Sequence, residues 1–229
     1  MVFINKCARK LKDLSWESSL GLSHFIQNRT IDYSNIDNVI KLYETNADIK
    51  KDRFKRYKLH TLVNLLNHYK PKNILELGGG ASTTFLSQYA DKNDAKVTTI
   101  ETNAWWAKFI RSNVSSKVDV ILCEAKGNAK SSPKELRFDI DLDHKNFDMV
   151  FIDGPGDKFP NIGKKEGVTM NGVELKNLPD VFIIDGRKTT VNYMQNHPRL
   201  QDYTYKPSDL NKKYFHLPDY DYFSVFEKK

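Results

Sequence analysis

The chain has 229 residues, 39% of them apolar and 12% aromatic, which is enough to bury a substantial core and excludes a disordered segment. A formal charge of +7, with much of the excess near the two ends, reads as a solvated basic surface ahead of a nucleic-acid interface. Two cysteines, Cys7 and Cys123, exclude a disulfide framework and a cysteine zinc site. Residues 1–14 are interrupted by Lys6, Arg9, Lys10 and Lys12, so they hold no signal-peptide core. No apolar run approaches the ~20 residues of a membrane span. The expectation is one soluble cytoplasmic domain with no transmembrane segment, in the host cytoplasm if the chain is virus-encoded.

Taken in order, residues 1 to about 50 read as short helices with polar joints. Leu11, Leu14, Trp16 and Leu20 form one apolar stripe, and Ile36, Val39, Ile40 and Tyr43 a second. From 53 to 69, Tyr57, Leu59, Leu62, Val63, Leu65 and Leu66 recur at helical spacing, and Pro71 ends that helix. An apolar run (Ile74, Leu75, Leu77) then meets Gly78, Gly79 and Gly80, followed by Ser82, Thr83 and Thr84. That order suits a tight strand-to-helix turn, with Ser82 or Thr83 as helix cap and unpaired backbone N–H groups offered to a ligand. Strands are expected at 73–77, 96–101, 118–123, 147–153 and 180–185, separated by helices near 82–90, 103–114 and 188–197. Such alternation predicts a parallel sheet covered on both faces. The stretches 124–146 and 154–179 read as loops, the latter flanking a site. After Pro198 the pattern changes, and 214–217 with 222–226 read as a terminal antiparallel hairpin.

Five of the expected strands carry an acid at or beside the carboxyl end: Glu76, Glu101, Glu124, Asp153 and Asp185. Ligands of open parallel sheets bind at that end, where strand order reverses, and clustered carboxylates need a compensating ligand, cation or donor. Glu101 stands 23 residues after Gly78, the position from which an acid accepts both hydroxyls of a ribose. Trp105 and Trp106 offer a flat apolar wall beside it, for an adenine or for simple packing.

With Glu76, Leu77, Gly78, Gly79 and Gly80, then Glu101, then the run from Phe147 to Pro155, the chain resembles the class I S-adenosylmethionine-dependent methyltransferases. The resemblance covers about 70 to 190 and implies a Rossmann-like doubly wound α/β sheet, mostly parallel with a C-terminal antiparallel hairpin. Residues 1–52 would form a helical N-terminal cap on a core of 53–229. It also implies that Glu76, Gly78 and Gly80 hold the amino-acid end of S-adenosyl-L-methionine, with Ser82 a further contact. Glu101 would take the ribose, and Glu124 would lie near the adenine. A dinucleotide enzyme fits less well, because Thr83 replaces the third glycine and a second mononucleotide half is missing.

Asp153 and Asp185 sit in similar contexts (Ile152, Asp153, Gly154, Pro155 and Ile184, Asp185, Gly186, Arg187), which places both beside the transferred methyl. Asp153 is expected to be the general base and Asp185 to assist, with Arg187 and His216 as weaker candidates. Cation-dependent members of the family carry an Asp-Asn pair after the fifth strand. Gly186 stands where that Asn would be, so Mg²⁺ remains open but not favoured. The context looks most like sugar and glycan O-methyltransferases, and Tyr203, Tyr205, Tyr214, Phe215, Tyr220 and Tyr222 would suit stacking on sugar rings. The rivals are an RNA or protein methyltransferase and a noncatalytic cofactor-binding module.

Overall fold

The computed structural model describes residues 34–46, 56–156, 159, 161–162, 166–208 and 222–229. The chain divides into two compact units, Met1–Thr61 with Ser208–Tyr222, and Leu62–Pro207 with Phe223–Lys229. In the first, helix α1 (Ser34–Asn46) carries the expected second stripe: Ile36, Val39 and Tyr43 are buried, and Ile40 is half-buried. The first stripe, at Leu11, Leu14, Trp16 and Leu20, lies outside the described residues. Helix α2 (Arg56–Tyr69) buries Leu59, Leu62 and Leu66 at spacings of three and four, and Pro71 follows it as expected.

The second unit is built on β1 (Asn73–Leu77), α3 (Ala81–Asn93), β2 (Lys96–Glu101), α4 (Ala104–Arg111) and β3 (Val118–Leu122). Three short strands, β4 (Ala125–Asn128), β5 (Glu135–Phe138) and, after β6 (Met149–Ile152), β7 (Val168–Thr169), lie where loops were expected. Then come α5 (Asn171–Glu174), β8 (Val181–Ile184), α6 (Lys188–Gln195), β9 (Tyr203–Lys206) and β10 (Ser224–Lys228). Seven strands form one sheet in the order β3-β2-β1-β6-β8-β10-β9, with helices on both sides. All neighbours are parallel except β10, which runs antiparallel to both β8 and β9.

Position in the sheet explains the residue pattern. Ile74, Leu75 and Leu77 of β1, and all four residues of β6 and β8, are buried, because central parallel strands are covered on both faces. Each such side chain stabilises the fold by ~1.5–3 kcal/mol. The edge strands β3 and β9 instead interleave exposed residues.

The last strand is reversed as expected, but its partner differs. β10 pairs with 203–206, Val225 opposite Lys206 and Phe226 opposite Tyr205, while 214–217 lies outside the described residues. Tyr203 is buried against Phe182 and donates from its hydroxyl to the Pro179 carbonyl at 2.5 Å. The Tyr205 ring packs on Phe226 at 4.9 Å. Both rings therefore serve packing, not an open stacking surface.

The small second sheet, in the order β4-β5-β7, is held to the core by Leu136 and Phe138. Beside Phe138 the Asn171 side chain replaces a strand neighbour. Its Oδ1 accepts from the Phe138 N–H at 2.8 Å and its Nδ2 donates to the Phe138 carbonyl at 3.0 Å. Among the described residues no helix is long and apolar enough to cross a membrane.

Candidate active site at the strand-order reversal

The reversal falls between β1, whose chain continues to β2 and β3 on one side, and β6, which begins the other side. Two glycines make this junction possible. Gly78 has φ +97°, and a Cβ on it would lie 2.5 Å from the Gly154 Cα. A Cβ on Gly154 would lie 2.6 Å from the Gly78 Cα. The turn after β1 and the turn after β6 thus touch backbone to backbone. The Leu77 carbonyl joins them, accepting from the N–H groups of Asp153, at 2.9 Å, and Gly154.

The N–H groups of the glycine turn are not left open, contrary to the sequence expectation. Gly78 donates to the Ile100 carbonyl at 2.9 Å, Gly79 to the Glu101 Oε2 at 3.0 Å, and Gly80 to the Thr83 Oγ1 at 2.9 Å. Nor does Ser82 or Thr83 stand at the helix cap: Gly80 does, and its carbonyl accepts from the Thr83 N–H at 3.1 Å.

The two hydroxyls are committed to Glu76. Ser82 donates to its Oε1 at 2.5 Å, while Thr83 and, from β2, Thr99 donate to its Oε2 at 2.6 and 2.8 Å. Glu76 is 0% exposed, so it braces the turn from beneath instead of facing a ligand, and Ser82, also buried, does the same. Burial pushes the Glu76 carboxyl up to about 7; the three hydroxyl donors oppose that rise and the Asp153 charge adds to it.

Glu101 lies at the end of β2 and is 8% exposed. Its Oε1 accepts from the N–H groups of Thr102 at 2.7 Å and Asn103 at 2.8 Å, while Oε2 holds Gly79. The carboxylate thereby ties the start of the next helix to the glycine turn. Asn103 caps that helix, its Oδ1 accepting from the Trp106 N–H at 2.9 Å. The Trp106 indole reaches back to the Gly79 carbonyl at 2.9 Å. Trp105, Trp106 and Phe109 stack within 5.6 Å of one another, and Trp105 is 53% exposed. An aromatic wall therefore does border the turn.

Beyond β6, three successive carbonyls are pinned. Arg187 Nη2 donates to those of Asp153 at 2.6 Å and Pro155 at 2.9 Å, and Thr169 Oγ1 donates to that of Gly154 at 2.8 Å. Thr169 is held by Thr190, whose hydroxyl accepts from the Thr169 N–H at 3.1 Å. Burial lowers the Arg187 pKa, while the Asp153 and Asp185 charges on the neighbouring strand ends oppose that fall. The Arg187 Nε is buried and has no hydrogen-bond partner among the described residues. Asp153 and Asp185 are both half-buried.

The expected acids thus do not gather in one cluster. Glu101 borders the glycine turn and Asp153 follows β6 beside it, with Asp185 at the next strand end. Glu124 is exposed at the entry to β4, in the second sheet. Among the described residues no three His, Cys, Asp or Glu side chains could hold a metal ion together. His216 lies outside the described residues. Thr169 and Thr190 were missed, and their only sequence signal is polarity inside an otherwise apolar packing context.

With the sheet order and the reversed strand in view, the fold is that of the class I S-adenosylmethionine-dependent methyltransferases. A candidate O-methyltransferase from Klebsiella pneumoniae is similar, with 17% identity and a TM-score of 0.56 over 93% of this chain and 98% of its own. The Bacillus cereus O-methyltransferase in complex with SAH has 18% identity and a TM-score of 0.55 over 93% and 99%. A Podospora anserina methyltransferase bound to SAH has 15% identity and a TM-score of 0.54 over 93% and 96%. No family model matches the chain, and no curated protein does.

Proposed function

We propose that the protein is an S-adenosylmethionine-dependent O-methyltransferase, and that its acceptor is a hydroxyl of a sugar or glycan. One observation carries this reading: where strand order reverses in a methyltransferase-type sheet, the glycine turn is bonded to Glu101 on one side and touches the turn of Asp153 and Gly154 on the other. The O-methyltransferases of similar fold support transfer to an oxygen. The sugar rests on the contexts of Asp153 and Asp185, and is tested separately below.

The cofactor, when bound, supplies a methyl group on a sulfonium, open to in-line displacement. The chain's part is then alignment, exclusion of water and handling of one proton. Glu101 would hold the ribose hydroxyls, and the turn from Gly78 to Gly80, kept in shape by Glu76 and Ser82, would hold the amino-acid end. Trp105 or Trp106 would flank the adenine, with Glu124 at the outer margin. Asp153 would take the acceptor proton as the methyl's bond to sulfur breaks and its bond to the acceptor oxygen forms, and Asp185 would orient the acceptor.

The test is a thermal shift followed by transfer. S-adenosylmethionine or its demethylated product is expected to stabilise the protein, by about 2.7 kcal/mol at 100 times its dissociation constant, and NAD not at all. Glu101→Ala should abolish the shift. Asp153→Ala should keep it and lose transfer, and an active Asp153→Ala protein would remove that residue as base. Mass spectrometry of glycans and of phenolic acceptors after incubation reads the acceptor: methylation of phenols alone would overturn the sugar. A turnover that falls steeply with salt on polyanions would favour RNA instead.

A further inference from the structure

The two carboxylates at the ends of β6 and β8 raise an electrostatic question. Asp153 and Asp185 follow adjacent parallel strands, paired through Ile152 and Ile184, and like charges so placed need compensation. A divalent cation is one solution, and Arg187 is another.

The Arg187 side chain is half-buried, its Nε wholly so, and it leaves the chain two residues after Asp185 to reach the Asp153 carbonyl. It is also fixed. Nη2 is held by the Asp153 and Pro155 carbonyls, and Nη1 lies 3.5 Å from the Thr169 hydroxyl. Two further features bear on a metal. A third ligand for the carboxylate pair is missing among the described residues. Gly186 follows Asp185 with φ +60°, a left-handed backbone that disfavours a further ligating side chain at that position. Among the described residues, a divalent ion would therefore meet two carboxylates only, beside a positive charge held in place by two carbonyls.

We propose that Arg187 supplies the positive charge that a divalent metal ion would otherwise bring to Asp153 and Asp185, making it a positioning residue of a cation-independent site. The inference rests on the reading of those aspartates as the acceptor side of the site. Arg187 touches backbone carbonyls of the 153–155 segment, so it acts through Asp153: it sets the direction of that peptide and fixes a positive charge beside it. Lysine at this position would keep the charge but lose the geometry that spans two carbonyls.

The experiment uses Mn²⁺ as probe, with free Mn²⁺ read by electron paramagnetic resonance, and needs no methyl transfer. The quantity measured is the difference in bound Mn²⁺ between the wild-type protein and the Asp153→Asn/Asp185→Asn variant. Zero is expected; one equivalent would overturn the proposal. The same difference is then read in an Arg187→Met background shown to be folded by circular dichroism. It should rise towards one equivalent there, whereas zero would overturn the assignment of the charge to Arg187. Arg187→Lys should return it to zero, and a persisting equivalent would overturn the charge as the cause. The wild-type measurement needs no Arg187 variant and stands alone. A failed thermal shift with S-adenosylmethionine would strike the proposed function and leave these readings intact.

Discussion

Gly154→Ala is expected to lower the melting temperature by roughly 6–12 °C, the effect of ~3 kcal/mol on a chain of this size. A Cβ on Gly154 would come within 2.6 Å of the Gly78 Cα and 2.8 Å of both the Gly78 nitrogen and the Leu77 oxygen. All three are backbone atoms, so no side chain can swing aside. Gly78 cannot retreat either, because its nitrogen is bonded to the Ile100 carbonyl and its φ of +97° is already one that few residues adopt. Gly156→Ala is the control. A Cβ there meets nothing within 4 Å, and the change should stay within about 0.5 kcal/mol. Thermal unfolding of the two variants side by side checks this, and equal melting temperatures would show that the two turns do not touch.

The second large effect is a pH dependence. Glu76 has a folded-state pKa of about 7 against an ordinary 4.5, so between those values the native state binds more protons than the unfolded chain. Stability contributed by this group therefore falls as pH rises through that window; the cost of an ionised buried carboxylate is absent below 4.5 and complete above 7. A shift of this size corresponds to roughly 3 kcal/mol. Glu76→Gln stays neutral throughout, and the hydroxyls of Ser82, Thr83 and Thr99 can rotate to serve as donor or acceptor. The melting temperature of the wild type is thus expected to drop relative to Glu76→Gln by roughly 6–12 °C between pH 4.5 and pH 8. A difference that stays constant over that range would show that Glu76 does not titrate there. Glu76→Ala should be destabilised at every pH, because it leaves three hydroxyls without an acceptor and a void in the core.

The central strands were legible because a parallel strand covered on both faces needs a short continuous apolar run. Met149 to Ile152 and Val181 to Ile184 are such runs, and Ile74, Leu75 and Leu77 form one that only Glu76 interrupts. The second sheet was not legible. Its strands are two to four residues long, and β4 contains only Ala125, Lys126, Gly127 and Asn128, with no alternation to detect. Its stability comes from Leu136, Phe138 and the Asn171 bridge, contacts made across more than 30 residues.

The glycine turn stands after β1 as its sequence leads one to expect, while the carboxylate beneath it is engaged by three hydroxyls of the protein itself. Glu76 looks like a ligand contact in sequence, and only the convergence of Ser82, Thr83 and Thr99 shows that it is spent inside the protein. Gly154 looked like part of an aspartate motif. Its necessity comes from Gly78, a residue 76 positions earlier.

The placement of β10 carries a consequence for synthesis on the ribosome. This strand follows β9 in the chain yet lies between β8 and β9, so β9 has no seat until Ser224–Lys228 has emerged. In that interval the nascent protein presents Val181–Ile184 as an uncovered margin of four apolar residues, open to any passing strand. Arrest peptides placed before and after residue 228 should reveal a late, abrupt gain in protease resistance and a preceding dependence on chaperones.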